Sequence, residues 1–359
     1  MRPRSRNYPL MCLLAAVLAI VALLASGRRL AGQPLARAVS RKEVWLTPNA
    51  GSLDMQKLFE APAEWPTALT RLSVFKFYQG QALEPPPNPG TLPNDYGSLR
   101  SVLAFSRLTR LWNKRIALEV GVVKPFYCSP DGSAERRAVA DTIAAIWNVE
   151  AAGGHVDYLA MDEPFISGVT TAACGAPDPA PTADRIVRYI QAIKRAYPRA
   201  AVGLIEAYPY FSAARLVQFL DLMRSRGVVF PFFHLDVDVE NMNAAARASA
   251  PGDLRYLAGF AAALGTRFGM IFWGQNGDSS AAFANGVILH LQLAERAFGD
   301  WTDMPDDLIF QSWARSSSGQ GIIPPNLPET APDTLTNLVV SGLGFLEGPA
   351  AARFSRRSR

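Results

Sequence analysis

The stretch Val156-Asp157-Tyr158-Leu159-Ala160-Met161-Asp162-Glu163-Pro164 reads as an apolar strand that stops abruptly at two carboxylates and a proline. The pattern returns in Val202-Gly203-Leu204-Ile205-Glu206-Ala207-Tyr208-Pro209 and in Phe232-Phe233-His234-Leu235-Asp236-Val237-Asp238. Carboxylates are costly to bury. Three core-like strands that each deliver acids at the C-terminal end therefore point to one face carrying chemistry. In parallel α/β folds that face is the strand-end face.

Outward from these strands, short apolar runs alternate with amphipathic stretches. Strands are expected at Val44–Thr47, Leu72–Tyr78, Ile116–Val123, Val156–Met161, Ala201–Ile205, Phe232–Val237, Phe268–Trp273 and Leu308–Trp313. Helical periods fall at Ser98–Lys114, Ala134–Ala152, Ala183–Tyr197, Ser212–Arg226, Leu254–Arg267 and Ala281–Phe298, with a last one at Asp333–Leu343. Thr182 is a candidate N-cap. Eight β-then-α units predict a single (β/α)8 TIM barrel, α/β in class, over residues 43–346. The competing doubly wound sheet would usually carry a Gly-rich phosphate turn after its first strand, and Thr47-Pro48-Asn49-Ala50-Gly51 is not one.

The 359 residues are 49% hydrophobic and 19% charged, a globular profile rather than a disordered one. The net charge of +5 does not signal nucleic-acid binding, because only six of the 36 basic residues are lysines and the arginines are scattered. Residues 347–359 read as a basic, solvated tail. At the other end, Arg2, Arg4 and Arg6 precede an apolar run from Pro9 to Ala25, so residues 1–27 read as a signal peptide or membrane anchor and 28–42 as a linker. A periplasmic or secreted domain is expected, touching the membrane only through residues 9–25. Cys12 lies inside that leader; Cys128 and Cys174 each follow a strand end and are either a disulfide or two unrelated thiols. Nothing in the sequence sets an oligomeric state.

Side chains alternate along strands, so one parity faces the barrel interior. On this rule Lys76 and Tyr78, then Glu119, then His234, Asp236 and Asp238, then Trp273 and Gln275, then Gln311 and Trp313 point inward. Asp162 and Glu163 lie on opposite parities; Glu163 is expected in the mouth, with Asp162 held beside it. Glu206 and Tyr208 are expected there too. Each has a plainer alternative. Glu119 and Lys76 can form a structural salt bridge, Asp238 can simply cap a turn, Trp273 and Trp313 can be core aromatics, and His234 is better read as a satisfied core histidine than as a ligand.

Paired carboxylates in one cleft, one of them kept protonated, are the equipment for hydrolysing a glycosidic bond. The catalytic candidates are Glu163, Glu206, Asp162 and Asp236. Lys76, Tyr78, Glu119, Tyr208, Asp238, Trp273, Gln275, Gln311 and Trp313 are the candidates for holding sugar. Met161-Asp162-Glu163-Pro164 resembles the Asn-Glu-Pro at the end of strand four in the large TIM-barrel glycoside hydrolase clan. That resemblance implies a carbohydrate substrate, no cofactor and an acid/base role for Glu163. The same clan has a Glu nucleophile at the end of strand seven, where this chain has Phe272-Trp273-Gly274-Gln275-Asn276-Gly277-Asp278. The partner of Glu163 is therefore Glu206 or Asp236, chosen by position alone. Two rival functions remain. One is a metal-dependent sugar-isomerase or phosphodiesterase-like barrel using Glu163, Glu206, His234 and Asp236. The other is a non-catalytic polysaccharide-binding barrel serving exopolysaccharide assembly. With three histidines and no His-Glu-x-x-His, zinc is not expected, nor is a serine hydrolase without a Gly-x-Ser-x-Gly elbow.

Overall fold

The computed structural model describes residues 41–83, 101–129, 131–274, 279–315 and 322–348. The leader, Cys12, Gln275 and most of the basic tail lie outside the described residues. Eight strands close into a parallel barrel in chain order: β1 (Glu43–Thr47), β2 (Val74–Tyr78), β3 (Arg115–Val120), β4 (Val156–Asp162), β5 (Ala201–Tyr208), β6 (Phe232–Val237), β7 (Arg267–Phe272) and β8 (Asp307–Gln311). β1 pairs with β8, so the sheet has no open edge.

The helices are α1 (Lys57–Glu60), α2 (Pro66–Arg71), α3 (Ser101–Ser106), α4 (Ser133–Ala151) and α5 (Pro164–Thr170). They continue with α6 (Pro179–Ala196), α7 (Ala213–Ser225), α8 (Ala244–Ala263), α9 (Ser280–Phe298) and α10 (Leu335–Glu347). Polar residues start them as helix termini require. Asp178, Ser212, Asn243, Ser279 and Thr334 each accept a hydrogen bond from a backbone N–H in the first turn. The cap of α6 is thus Asp178, with Pro179 at the first helical position, and Thr182 is buried inside the helix. α8 begins well before Leu254, because Asn243 caps it and Pro251 is accommodated within it. The helix expected over 98–114 is shorter: α3 passes into a π-helical turn at Arg107–Leu111.

Two cores follow from strand alternation. One parity, including Leu118, Leu159, Leu204, Leu235, Met270 and Phe310, packs under the helices. The other fills the barrel with Trp45, Val74, Ala117, Ala160, Ile205, Phe232, Ile271 and Ile309. The N-terminal floor is closed by charge pairs. Arg115 Nη1 lies 2.8 Å from Glu43 Oε1, and Arg267 Nη2 lies 2.6 Å from Asp307 Oδ1. With the floor plugged, the interior opens to solvent at the C-terminal end of the strands.

Candidate active site

The deepest polar layer sits just below the mouth. Lys76 on β2 is fully buried and ion-paired with Glu119 on β3, and its Nζ donates to Gln311 Oε1 at 2.6 Å. Gln311 Nε2 donates to Glu119 Oε2 at 3.0 Å and to the Tyr78 hydroxyl at 3.3 Å; Tyr78 in turn donates to the Ser312 carbonyl. Lys76, Glu119, Gln311 and Tyr78 are thus linked to one another by hydrogen bonds, so the first task of the set is to hold the layer above.

Above it, the acids gather. Asp162 shares the inward parity of Ala160, and its Oδ2 lies 2.6 Å from Lys124 Nζ. Glu163 follows immediately with φ of 44°, a left-handed conformation that costs a non-glycine residue energy. That turn starts α5 and redirects the carboxyl into a cavity of about 390 Å³. The cavity is lined by Glu163, Ala207, Tyr208, Pro209, Tyr210, Asp236, Asp238, Asn241, Trp273 and Trp313. Trp273 and Trp313 stand 4.5 Å apart at 35°, with Trp313 partly exposed, and Tyr210 is exposed at the rim. Asp238 is fixed by Asn241, whose backbone N–H and Nδ2 donate to its two carboxylate oxygens.

Burial pushes the Glu163 carboxyl up to about 7, with the Asp162 charge acting the same way and Lys124 opposing. Asp236 is pushed well above the ordinary carboxylate range, first by burial and then by the charges of Glu163, Asp162 and Glu119. Its Oδ1 is buried without a hydrogen-bond partner, as is Trp273 Nε1. The Glu163 charge thus disfavours ionisation of Asp236, and the protonation states of the two mouth carboxyls depend on one another.

Glu206 and Tyr208 do not point their side chains into this mouth. Ile205 occupies the inward parity of β5, so Glu206 and Tyr208 face the helices. Glu206 Oε1 accepts from the Phe165 N–H at 2.7 Å and Oε2 from the Ile166 N–H at 3.3 Å. These are donors in the first turn of α5, which have no partner inside their own helix. The Tyr208 hydroxyl donates to Asp253 Oδ2 on α8 at 2.6 Å, although the residue also borders the cavity. His234 is enclosed in the core, where Nε2 lies 3.1 Å from Asp307 Oδ2 and Trp45 packs edge-on. The four residues suggested for a metal therefore do not converge. Among the described residues, no group of three or more His, Cys, Asp or Glu could hold a metal ion. We expect Glu206→Leu to cost about 1–3 kcal/mol of unfolding free energy, since it strands two buried amide donors. Chemical denaturation should register that loss, with turnover per folded molecule nearly kept; a collapse of turnover in a fully stable variant would return Glu206 to the active site.

Lys124, Tyr210 and Asn241 complete the mouth and were not singled out in the sequence. They sit on strand–helix loops, where no periodicity marks a direction. Cys128 and Cys174 form a disulfide with Cα atoms 5.1 Å apart.

No family model matches the chain, and no curated protein matches it in sequence. Solved structures do resemble it. A Cellulomonas fimi endo-β-1,4-mannanase double mutant aligns with a TM-score of 0.54 at 13% identity, covering 89% of this chain and 74% of that one. The catalytic domain of a Bacillus sp. JAMB-750 GH26 endo-β-1,4-mannanase gives 0.51 at 13% identity, over 84% and 85% of the two chains. An endo-β1,6-glucanase gives 0.51 at 9% identity, over 75% and 66%. The shared feature is the (β/α)8 barrel, and these neighbours are TIM-barrel glycoside hydrolases.

Proposed function

We propose that this chain is a glycoside hydrolase in which Glu163 and Asp236 form the catalytic pair. The observation that carries the reading is their convergence: carboxyls at the ends of β4 and β6 line one cavity beside a pair of tryptophans, and burial and neighbouring charge hold a proton there near neutrality. Hydrolysis of a glycosidic bond needs one carboxyl to protonate the leaving oxygen and one carboxylate to attack or to activate water. A pair carrying a single proton meets both needs. The tryptophans offer flat apolar faces for the C–H faces of a sugar ring, and Asp238 and Asn241 offer hydroxyl partners. The resemblance at Glu163 favours Glu163 as acid/base, which leaves Asp236 as its partner.

We place the enzyme outside the cytoplasm, periplasmic or secreted. The basic-led apolar leader and the Cys128–Cys174 bridge support this. Among the described residues no helix is long and apolar enough to cross a membrane.

Among the described residues the cavity lining has three acids and no basic side chain, so polyanionic glycans should be repelled. Reducing-end assays should show release from a neutral glycan of the kinds named for the neighbours, mannan or β-1,6-glucan. Polygalacturonate should be cleaved at least about tenfold more slowly, the equivalent of ~1.4 kcal/mol. Faster cleavage of the polyanion would overturn the charge argument. No cleavage of any glycan by purified protein would overturn the hydrolase reading.

A further inference from the structure

Lys124 lies on the loop after β3, outside every strand, yet its side chain is mostly buried and reaches Asp162 across the mouth. That loop is fixed from several directions. The Lys124 carbonyl accepts from the Tyr127 N–H at 2.8 Å, and the Tyr127 hydroxyl donates to Asp141 Oδ2 on α4 at 2.6 Å. Cys174 Sγ lies 3.9 Å from the same carbonyl oxygen, and its bridge to Cys128 ties this loop to the segment before α6. Arg185 Nε, on α6, donates to the Cys174 carbonyl at 3.2 Å. The backbone that carries the ammonium is thus anchored on both neighbouring helices.

We infer that Lys124 is a positioning residue for the catalytic pair: its ammonium neutralises Asp162 next to Glu163, and the Cys128–Cys174 bridge holds it in place. The inference builds on the proposed role of Glu163. Asp162 ends β4 and the chain turns at Glu163, which leaves two carboxyls on consecutive residues. Without a cation the first would oppose ionisation of the second. Among the described residues, the other charged groups around Glu163 are Glu119 on β3, Asp236 on β6, Asp238 just after it and Glu206 behind β5, all acidic, and Lys76, which is committed to Glu119. Among the described residues, Lys124 is the cation that acts on Glu163, and burial of its own charge is outweighed chiefly by Asp162.

The test reads Glu163 without any substrate. In protein labelled with 13C at glutamate side-chain carboxyls, the Glu163 signal, assigned by its loss in Glu163→Gln, should titrate near 7. Lys124→Met should raise that midpoint by about one pH unit, the usual size of a lost ion-pair contribution. Lys124→Arg should bring it most of the way back. Paired replacement of Cys128 and Cys174 by serine, or mild reduction of the native protein if that variant fails to fold, should move it in the same upward direction. An unmoved midpoint in folded Lys124→Met ends the inference, and so does an arginine variant that behaves like the methionine one. A midpoint insensitive to breaking the bridge removes the disulfide's part. The alkaline-side limb of kcat/KM should follow the midpoint on any cleaved glycan; if no glycan is cleaved, the hydrolase reading fails while the titration still decides the role of Lys124.

Discussion

Glu163→Gln should lower kcat on a cleaved glycan by about 10²–10⁴-fold, the range for loss of a positioned proton-transfer group. Asp236→Asn should fall at least as far. Both replacements keep the shape and size of the side chain, and the environment already favours the neutral form of each carboxyl, so thermal unfolding should change little. The pair should also behave as a unit, with the double variant hardly worse than the poorer single one. The pH sign follows from the assigned roles. Glu163 must carry its proton to act as the acid, so activity should fall as pH rises through about 7. Asp236 must be ionised to attack or to activate water, and burial and the neighbouring acids resist that, so activity should also fall toward acid pH as Asp236 takes up a proton. Because the groups are coupled, those limbs belong to the pair rather than to either residue. Full activity in both single variants, or a profile with no inflection near neutrality, would remove Glu163 and Asp236 from the chemistry.

Much of the barrel is legible in the chain because each strand is an apolar run of strand length and each is followed by an amphipathic period. The inward parity is legible wherever a charged residue breaks the run. Lys76, Glu119 and Asp236 declare it, since none could face the helices unpaired. On β5 the run Val202-Gly203-Leu204-Ile205 is apolar on both faces, as buried parallel strands are, and alternation vanishes. The deciding signal there is Gly203. A Cβ at that position would meet the Phe232 ring at 2.4 Å, so the crowded barrel interior takes the glycine parity and Glu206 falls on the other. The second hidden element is α5. Seven residues opened by a proline carry too little periodicity to read as a helix, yet their free amides are what Glu206 serves. A buried acid at a strand end thus has two uses, chemistry and capping, and only the neighbouring helix distinguishes them.

Glu119→Leu should be the most damaging single change to stability, by about 3–5 kcal/mol, because it strands a buried cation. Lys76 is fully buried, and its partners are Glu119 and Gln311. Removing the carboxylate leaves the ammonium with one amide oxygen inside an apolar barrel, or forces it to fold uncharged; either route costs several kcal/mol. The pair itself need not be strongly stabilising, since desolvation of two charges offsets much of their attraction. Replacing both, Lys76→Met with Glu119→Leu, should therefore recover most of the loss. Urea unfolding of the four proteins gives the coupling directly. The same cycle separates structure from chemistry. Gln311 and Tyr78 are oriented by this pair, so the double variant should regain stability while its KM rises, the layer beneath the mouth having lost its polar order. A cost below about 1 kcal/mol for Glu119→Leu would mean that Lys76 finds water or another anion. The polar layer would then be open to solvent and available to the substrate itself.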